Sequence, residues 1–262
     1  MIEDKIKHDS HKAPIILELK EVTKNFYSDS GEKIRALEGL NLLVTEGEFI
    51  TLVGATGCGK TTLLNLIAGL EMPDNGQLSL GEDLNLGENV AYVFQHYTLF
   101  PWRNTLSNVC FGLQMRSIGR KKRRNKAMQL LSKVGLEGFE NTYPYELSGG
   151  MRQRAAIAQA LAIKPKLLLM DEPFGALDDS TRRELQQMLI ELWQENRTTI
   201  LFVTHNIDEA VLLGEKVLVL SERPGRIIRE FNVELPRPRN SVAKEFTDLF
   251  IQVRQALSIQ LD

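Results

Sequence analysis

Gly54-Ala55-Thr56-Gly57-Cys58-Gly59-Lys60-Thr61 is the stretch that decides the fold. It fits the pattern G-x-x-x-x-G-K-[ST] without a mismatch, and its flanks fit too. Phe49-Ile50-Thr51-Leu52-Val53 before it is a short β-prone apolar run, and Thr62-Leu63-Leu64-Asn65-Leu66-Ile67-Ala68 after it reads as a helix. A strand, a glycine loop and a helix start together make a phosphate cradle. The glycines let backbone N–H groups converge on anionic oxygens, and the helix N-terminus adds unsatisfied donors and a positive dipole end. Gly54, Ala55, Thr56, Gly57, Cys58, Gly59, Lys60, Thr61 and Thr62 are therefore expected around the phosphates. Lys60 is placed to reach the terminal phosphates and the Thr61 hydroxyl to ligate Mg²⁺. The stretch reads as the binding loop of a nucleoside triphosphate.

Outward from the loop, near-continuous apolar runs recur at Val90–Phe94, Leu167–Met170, Thr199–Val203 and Val217–Leu220. Such runs suit parallel strands buried on both faces. Helical stretches separate them, for example Thr181 to Glu195, and a mostly helical insertion is expected between Gln95 and about Lys164. Ordered structure is expected to begin with a strand at Ile15–Leu19 and to continue with one from Ala36 to Leu43. Leu167-Leu168-Leu169-Met170 ends in Asp171-Glu172, which puts two acids at the carboxyl end of a buried strand, the edge where open α/β sheets bind ligands. Asp171 can hold Mg²⁺ through water, and Glu172 can polarise an attacking water as general base. Leu147-Ser148-Gly149-Gly150-Met151-Arg152-Gln153-Arg154 forms a second candidate anion site: Ser148 is a good N-cap, and Gly149 and Gly150 expose backbone N–H groups behind it.

Composition bounds the remainder. A chain of 262 residues with 43% hydrophobic and 25% charged residues is ordinary for a soluble globular protein. A net charge of -2 supplies no global field toward nucleic acid or an anionic membrane. The basic cluster from Arg116 to Lys126 has no interleaved aromatics and reads as a solvated helix face, so no nucleic-acid partner is expected. No apolar run approaches the roughly 18 residues of a membrane span, and the charged N-terminus lacks the apolar core of a secretory signal. Two cysteines, Cys58 and Cys110, exclude a disulfide scaffold and point to a reducing compartment. Cys58 lies near a helix start, a position that lowers a thiol pKa, but a small filler residue is the default reading. His8 and His11 have no further ligands near them in sequence, and no metal site is expected there.

Taken together, the chain resembles the nucleotide-binding subunit of an ATP-binding cassette (ABC) transporter, from about Leu17 to about Ile227. The resemblance implies an α/β fold: a P-loop NTPase core with a mainly parallel sheet, an N-terminal antiparallel β subdomain and an inserted α-helical subdomain over about residues 96–164. It divides the chain into a polar tail (1–14), an ATPase domain (15–235) and a C-terminal extension with a helix (236–262). In that family the segment Leu147–Arg154 matches the signature motif, so Ser148, Gly149 and Gly150 would bind the γ-phosphate of ATP held by an opposite subunit. Gln95 matches the Q-loop glutamine, a Mg²⁺ and water ligand. Ala176-Leu177-Asp178 matches the D-loop at the dimer seam, and His205 matches the switch histidine on the γ-phosphate. Phe26 matches the aromatic that stacks on adenine, with its neighbour Tyr27 left open. The implied catalytic set is Glu172, His205 and Gln95, the metal set Thr61, Gln95 and Asp171, and the cofactors ATP and Mg²⁺.

A finer similarity lies in Leu99–Val109, Thr204–Val211 and Ser221–Ile227, which are similar to importers of nitrate, sulfonate, taurine and bicarbonate. It implies a second cassette subunit, identical or related, and membrane permease subunits contacted near Phe100, Pro101 and Trp102. An extracytoplasmic solute-binding protein would act indirectly, and the chain would lie at the cytoplasmic face of the membrane. The alternative for Trp102 is a cap on the core of the helical insertion. Departures from the family pattern are small: Ala55 and Thr56 replace a commoner Pro-Ser pair, and Thr62 a common serine. A soluble, non-transport cassette ATPase is the rival reading. Such relatives usually carry a long coiled-coil insertion or a second cassette, and neither is visible.

Overall fold

A computed structural model describes residues 13–258. The tail expected over 1–14 lies almost wholly outside the described residues, as do His8, His11 and the last four residues of the C-terminal extension. Ile15–Tyr27 (β1) and Lys33–Thr45 (β2) pair as a long antiparallel hairpin. Phe49–Val53 (β3) leads into the glycine loop, and Asn75–Leu80 (β4) pairs with the other side of β1, giving a three-stranded antiparallel sheet in the order β2-β1-β4. β1 and β2 each span 13 residues, well past the apolar segments that mark them in sequence. Their register shifts repeatedly between Leu19 and Asn25, where Lys20, Glu21, Lys24 and Asn25 break the alternation by which a strand is recognised.

Val90–Val93 (β5), Leu167–Asp171 (β6), Thr199–Thr204 (β7), Lys216–Leu220 (β8) and Ile227–Asn232 (β9) join β3 in a six-stranded sheet ordered β5-β6-β7-β3-β8-β9. All neighbours are parallel except β9, which runs antiparallel to β8. Every residue of β3, β6 and β7 is buried. The reason is a core on each face. Phe49, Leu168, Met170, Ile200 and Phe202 point toward the helical side. Ile50, Leu52, Leu167, Leu169, Leu201 and Val203 point toward the antiparallel sheet. Each such side chain stabilises the fold by roughly 1.5–3 kcal/mol relative to exposure. β9 is mostly exposed and mixes polar with apolar residues, as suits an antiparallel edge strand.

The helices are Lys60–Ile67 (α1), Thr105–Met115 (α2), Arg120–Lys133 (α3), Gly149–Ala162 (α4), Asp179–Asn196 (α5), Ile207–Leu213 (α6) and Lys244–Ser258 (α7). α2, α3 and α4 pack on one another between β5 and β6, where the helical insertion was expected. α3 buries only Ala127 and Leu131, so its basic residues face solvent. α7 is amphipathic and lays Phe246, Val253 and Ala256 against Ala210, Val211, Val217 and Val219. Among the described residues no helix is long and apolar enough to cross a membrane.

Candidate active site

The glycine loop leaves the carboxyl end of β3, the middle of the parallel sheet, and runs directly into α1. Gly59 needs its left-handed φ of 111° and its lack of a side chain. A Cβ there would sit 2.7 Å from the Leu37 Cδ2 and 2.8 Å from the Ala36 carbonyl oxygen of β2. The antiparallel sheet thus closes against the loop. Lys60 is 5% exposed, and its ammonium donates to the carbonyls of Gly54 at 2.9 Å and Ala55 at 3.0 Å. It also lies 3.5 Å from the Glu172 carboxylate. Cys58 is buried and burial pushes its thiol pKa up, which suits a filler residue and not a reactive thiol. Both cysteines are free.

Asp171 and Glu172 sit where β6 ends. Asp171 is 5% exposed, and burial above all raises its carboxyl pKa, against a hydrogen bond from Thr61. The charge of Glu172 raises it further, and Lys60 works in the opposite direction. The Tyr92 hydroxyl lies 3.5 Å from Asp171 Oδ2 and donates to Asn65 Oδ1 at 3.2 Å. Glu172 leaves the strand with φ 41°, a left-handed value that carries local strain in a non-glycine residue. Its N–H is still held by the Val203 carbonyl at 2.9 Å. The turn aims its carboxylate between the Lys60 ammonium, 3.5 Å from one oxygen, and His205 Nδ1, 2.8 Å from the other. His205 follows β7, and its ring is 55% exposed. Strands β3, β6 and β7 thus bring Lys60, Thr61, Asp171, Glu172 and His205 to one sheet edge.

Other expected residues stand apart from this cluster. Gln95 lies on an exposed segment after β5 and makes no hydrogen bond among the described residues. Phe26 is 37% exposed on β1 with the Lys24 ammonium 5.2 Å from its ring centre, whereas Tyr27 is 71% exposed. Thr62 is half-buried on α1. Ser148 caps α4, its Oγ accepting from the Met151 N–H at 3.2 Å, and is exposed. A Cβ on Gly150 would lie 2.5 Å from Thr181 Cγ2, and one on Gly149 would lie 3.4 Å from the Tyr97 hydroxyl. The start of α4 is therefore pinned against the start of α5, which Asp178 caps through the Thr181 N–H. Those bonds hold the Asp178 carboxyl down at about 2.

Several residues here carry no sequence signal. Tyr92 meets Asn65 and Asp171 only in the fold. Glu209 is buried, accepts from Gln186 Nε2 at 3.0 Å, and has its carboxyl pKa raised by burial, close behind His205 in the chain. The end of α7 is also unexpected here. Arg254, Leu257 and Ser258 share a cavity of about 420 Å³ with Gly54, Ala55, Thr56 and His205. Trp102 is 72% exposed and does not cap the core. It tilts against Phe100 at 5.5 Å, and the Arg103 guanidinium lies over both Phe100 and Phe111. The buried Asn108 orders this surface by accepting from the Phe100 N–H and donating to the carbonyls of Phe100 and Arg103.

Among the described residues no group of three or more His, Cys, Asp or Glu could cage a metal. The Thr61 hydroxyl and Asp171 instead make a paired oxygen donor set. That set fits Mg²⁺, which dehydrates reluctantly and takes few protein ligands beside phosphate and water.

A family model described as ABC transporter matches residues 37–175. The nitrate import ATP-binding protein NrtD of Synechocystis sp. is 45% identical over 234 residues, covering 87% of this chain and 88% of that protein. The taurine import ATP-binding protein TauB of Shigella sonnei is 47% identical over 215 residues, covering 81% and 84%. Among solved structures, the ATP-binding cassette MJ0796 in a dimeric post-hydrolysis state bound to ADP and Pi aligns with a TM-score of 0.74 and 35% identity, over 84% of this chain and all of that one.

Proposed function

We propose that this chain, which belongs to the ABC transporter family, is the ATP-hydrolysing subunit of an importer for a small anion. It is an ATPase of the cassette type. Residues 54–62 hold the phosphates, with Lys60 toward the terminal ones, and Phe26 stacks on the adenine. Thr61, Asp171 and Gln95 hold Mg²⁺, which supplies charge neutralisation at the transferred phosphoryl group. Glu172 acts as general base on the attacking water, and His205, bonded to it at 2.8 Å, orients that carboxylate and faces the γ-phosphate. Ser148, Gly149 and Gly150 act in trans, on the nucleotide of a second cassette, so two chains enclose two nucleotides about a two-fold axis.

The observation that carries this reading is the junction of Lys60, Glu172 and His205 at one sheet edge, with Ser148 exposed and bonded only within its own helix. The dimeric state of MJ0796 with ADP and Pi supports the paired arrangement. The exposed Trp102 surface, ordered by Asn108, is the proposed contact for membrane permease subunits, because exposed aromatics favour interfaces. The division into residues 1–14, 15–235 with an insertion over 96–164, and 236–262 is part of the same proposal, as is the place at the cytoplasmic face of a membrane beside a permease served by a solute-binding protein. NrtD and TauB are named for nitrate and taurine import, and the solute proposed here is of that class: nitrate, taurine, another sulfonate or bicarbonate. Light scattering on Glu172→Gln tests the reading. With ATP and Mg²⁺ the variant accumulates as a dimer and hydrolyses about 10³-fold more slowly, whereas wild-type turnover would remove Glu172 from its role.

A further inference from the structure

The segment between β8 and β9 is tied to the glycine loop more closely than a connection requires. Gly225 donates to the Ala36 carbonyl at 2.9 Å, and the Glu38 N–H donates back to Gly225 at 3.1 Å. Arg226 bonds Glu38, and Ser221 closes the turn by donating to Pro224 and accepting from the Arg226 N–H, both at 2.8 Å. The segment is thus fixed to β2 at one end and to the main sheet at the other. A Cβ on Gly225 would fall 2.3 Å from the Cys58 carbonyl oxygen, so the turn lies directly on the loop. From this platform Arg223 reaches across and donates twice to the Gly57 carbonyl, from Nη2 at 2.9 Å and Nε at 3.2 Å.

Gly57 has φ +80°, so nothing in its own conformational preference fixes the peptide plane that follows it. A trans peptide carries its C=O and the next N–H on opposite sides. A guanidinium holding the Gly57 oxygen outward therefore turns the Cys58 N–H inward, where it meets the Ala55 carbonyl at 3.3 Å within the loop. Resting on the reading of residues 54–61 as a phosphate cradle, we propose that Arg223 is a positioning residue for nucleotide binding: it holds the Gly57–Cys58 peptide in the orientation in which the Cys58 N–H closes the loop on the Ala55 carbonyl, and so keeps the cradle in its phosphate-binding shape. Its fork of donors suits a single carbonyl gripped from two nitrogens, which a lysine cannot reproduce. Because the guanidinium bonds the outer side of the loop, the contact serves the di- and triphosphate alike.

Calorimetry of ATP and ADP on the full chain tests this with Arg223→Ala, Arg223→Gln and Arg223→Lys, and with Lys60→Ala as reference. Arg223→Ala weakens ATP and ADP by the same factor, about tenfold for a charged hydrogen-bonding group. It raises KM with a much smaller change in kcat, and leaves thermal unfolding without nucleotide near wild type. Arg223→Gln and Arg223→Lys, each able to keep one donor, fall between, and they carry the test if the alanine variant does not fold. Wild-type affinity in all three, or loss of ATP affinity with ADP untouched, overturns the assignment. If Lys60→Ala also binds both nucleotides normally, the cradle reading itself has failed. If Lys60→Ala loses them while the Arg223 variants do not, only the role of Arg223 has.

Discussion

The two glycine-bearing helix starts, at α1 and α4, are made from similar residues and bonded in opposite ways. α1 begins after Gly59 with no side-chain cap, so its first N–H groups remain for an external anion, and its Lys60 is tied into the loop and to Glu172. α4 begins after Ser148, whose side chain accepts from its own helix. The hydroxyl proton of a capping serine is still free to donate outward, and Ser148 is exposed. One start is the centre of a network within the chain. The other is a finished helix cap presented to the surroundings. The difference teaches that similar residues can build one helix start tied into the chain's own network and another presented outward, and the proposed shared site rests on that division.

The largest expected effect breaks the comparison if it fails. Ser148→Arg and Lys60→Ala each abolish hydrolysis, but a one-to-one mixture regains activity, about a quarter of wild type, because half of randomly paired dimers contain one intact composite site. A mixture as inactive as its components would end the shared-site reading. The same pair separates the two starts by binding. Calorimetry on monomer gives ATP affinity about 100-fold weaker in Lys60→Ala, where a charge-assisted contact is lost, and within about twofold of wild type in Ser148→Arg.

A packing test comes next. Gly150→Ala places a methyl 2.5 Å from Thr181 Cγ2 and destabilises the fold by about 1–3 kcal/mol in urea unfolding. An unchanged midpoint would show that α4 is not pinned against α5. The smallest effect concerns Asp171. Its raised pKa means the folded protein holds the proton more tightly than the unfolded chain. Stability therefore falls as pH rises through the window from the ordinary value of 3.8 to the raised one, and stays lower above it. Without nucleotide, Asp171→Asn should melt about 1–2 °C above wild type at pH 7, the gap closing below the ordinary carboxyl pKa, while Mg²⁺-dependent hydrolysis is lost. A variant less stable at pH 7 would mean that the Thr61 bond outweighs the burial cost.

The parallel core was legible because each of its strands is buried on both sides and so must be apolar throughout, as in Leu167–Met170 and Thr199–Val203. β4 and β9 were not, since half-exposed antiparallel strands such as Asn75–Leu80 mix polar and apolar residues without a clean period. Lys60, Asp171 and Glu172 could be picked out because each lies at or just beyond the end of a recognisable strand, whereas His205 was reached only through the family resemblance. Tyr92, Gln186, Arg223 and the end of α7 could not, since each reaches the loop, its acids or the His205 segment from elsewhere in the chain.

What the sequence determined by itself is the local chemistry: a glycine loop between strand and helix, acids at a strand end, a capped helix start. Spacing along the backbone is enough to build these, and no distant contact is needed. What only the tertiary structure decided is which groups face one another: the Glu172 carboxylate between Lys60 and His205, Arg223 on Gly57, and the start of α4 against Thr181 of α5. The Glu172 and Arg223 pairings depend on strand order and on side chains meeting across 33 to 166 residues of chain, where burial and hydrogen bonding act and sequence proximity says nothing.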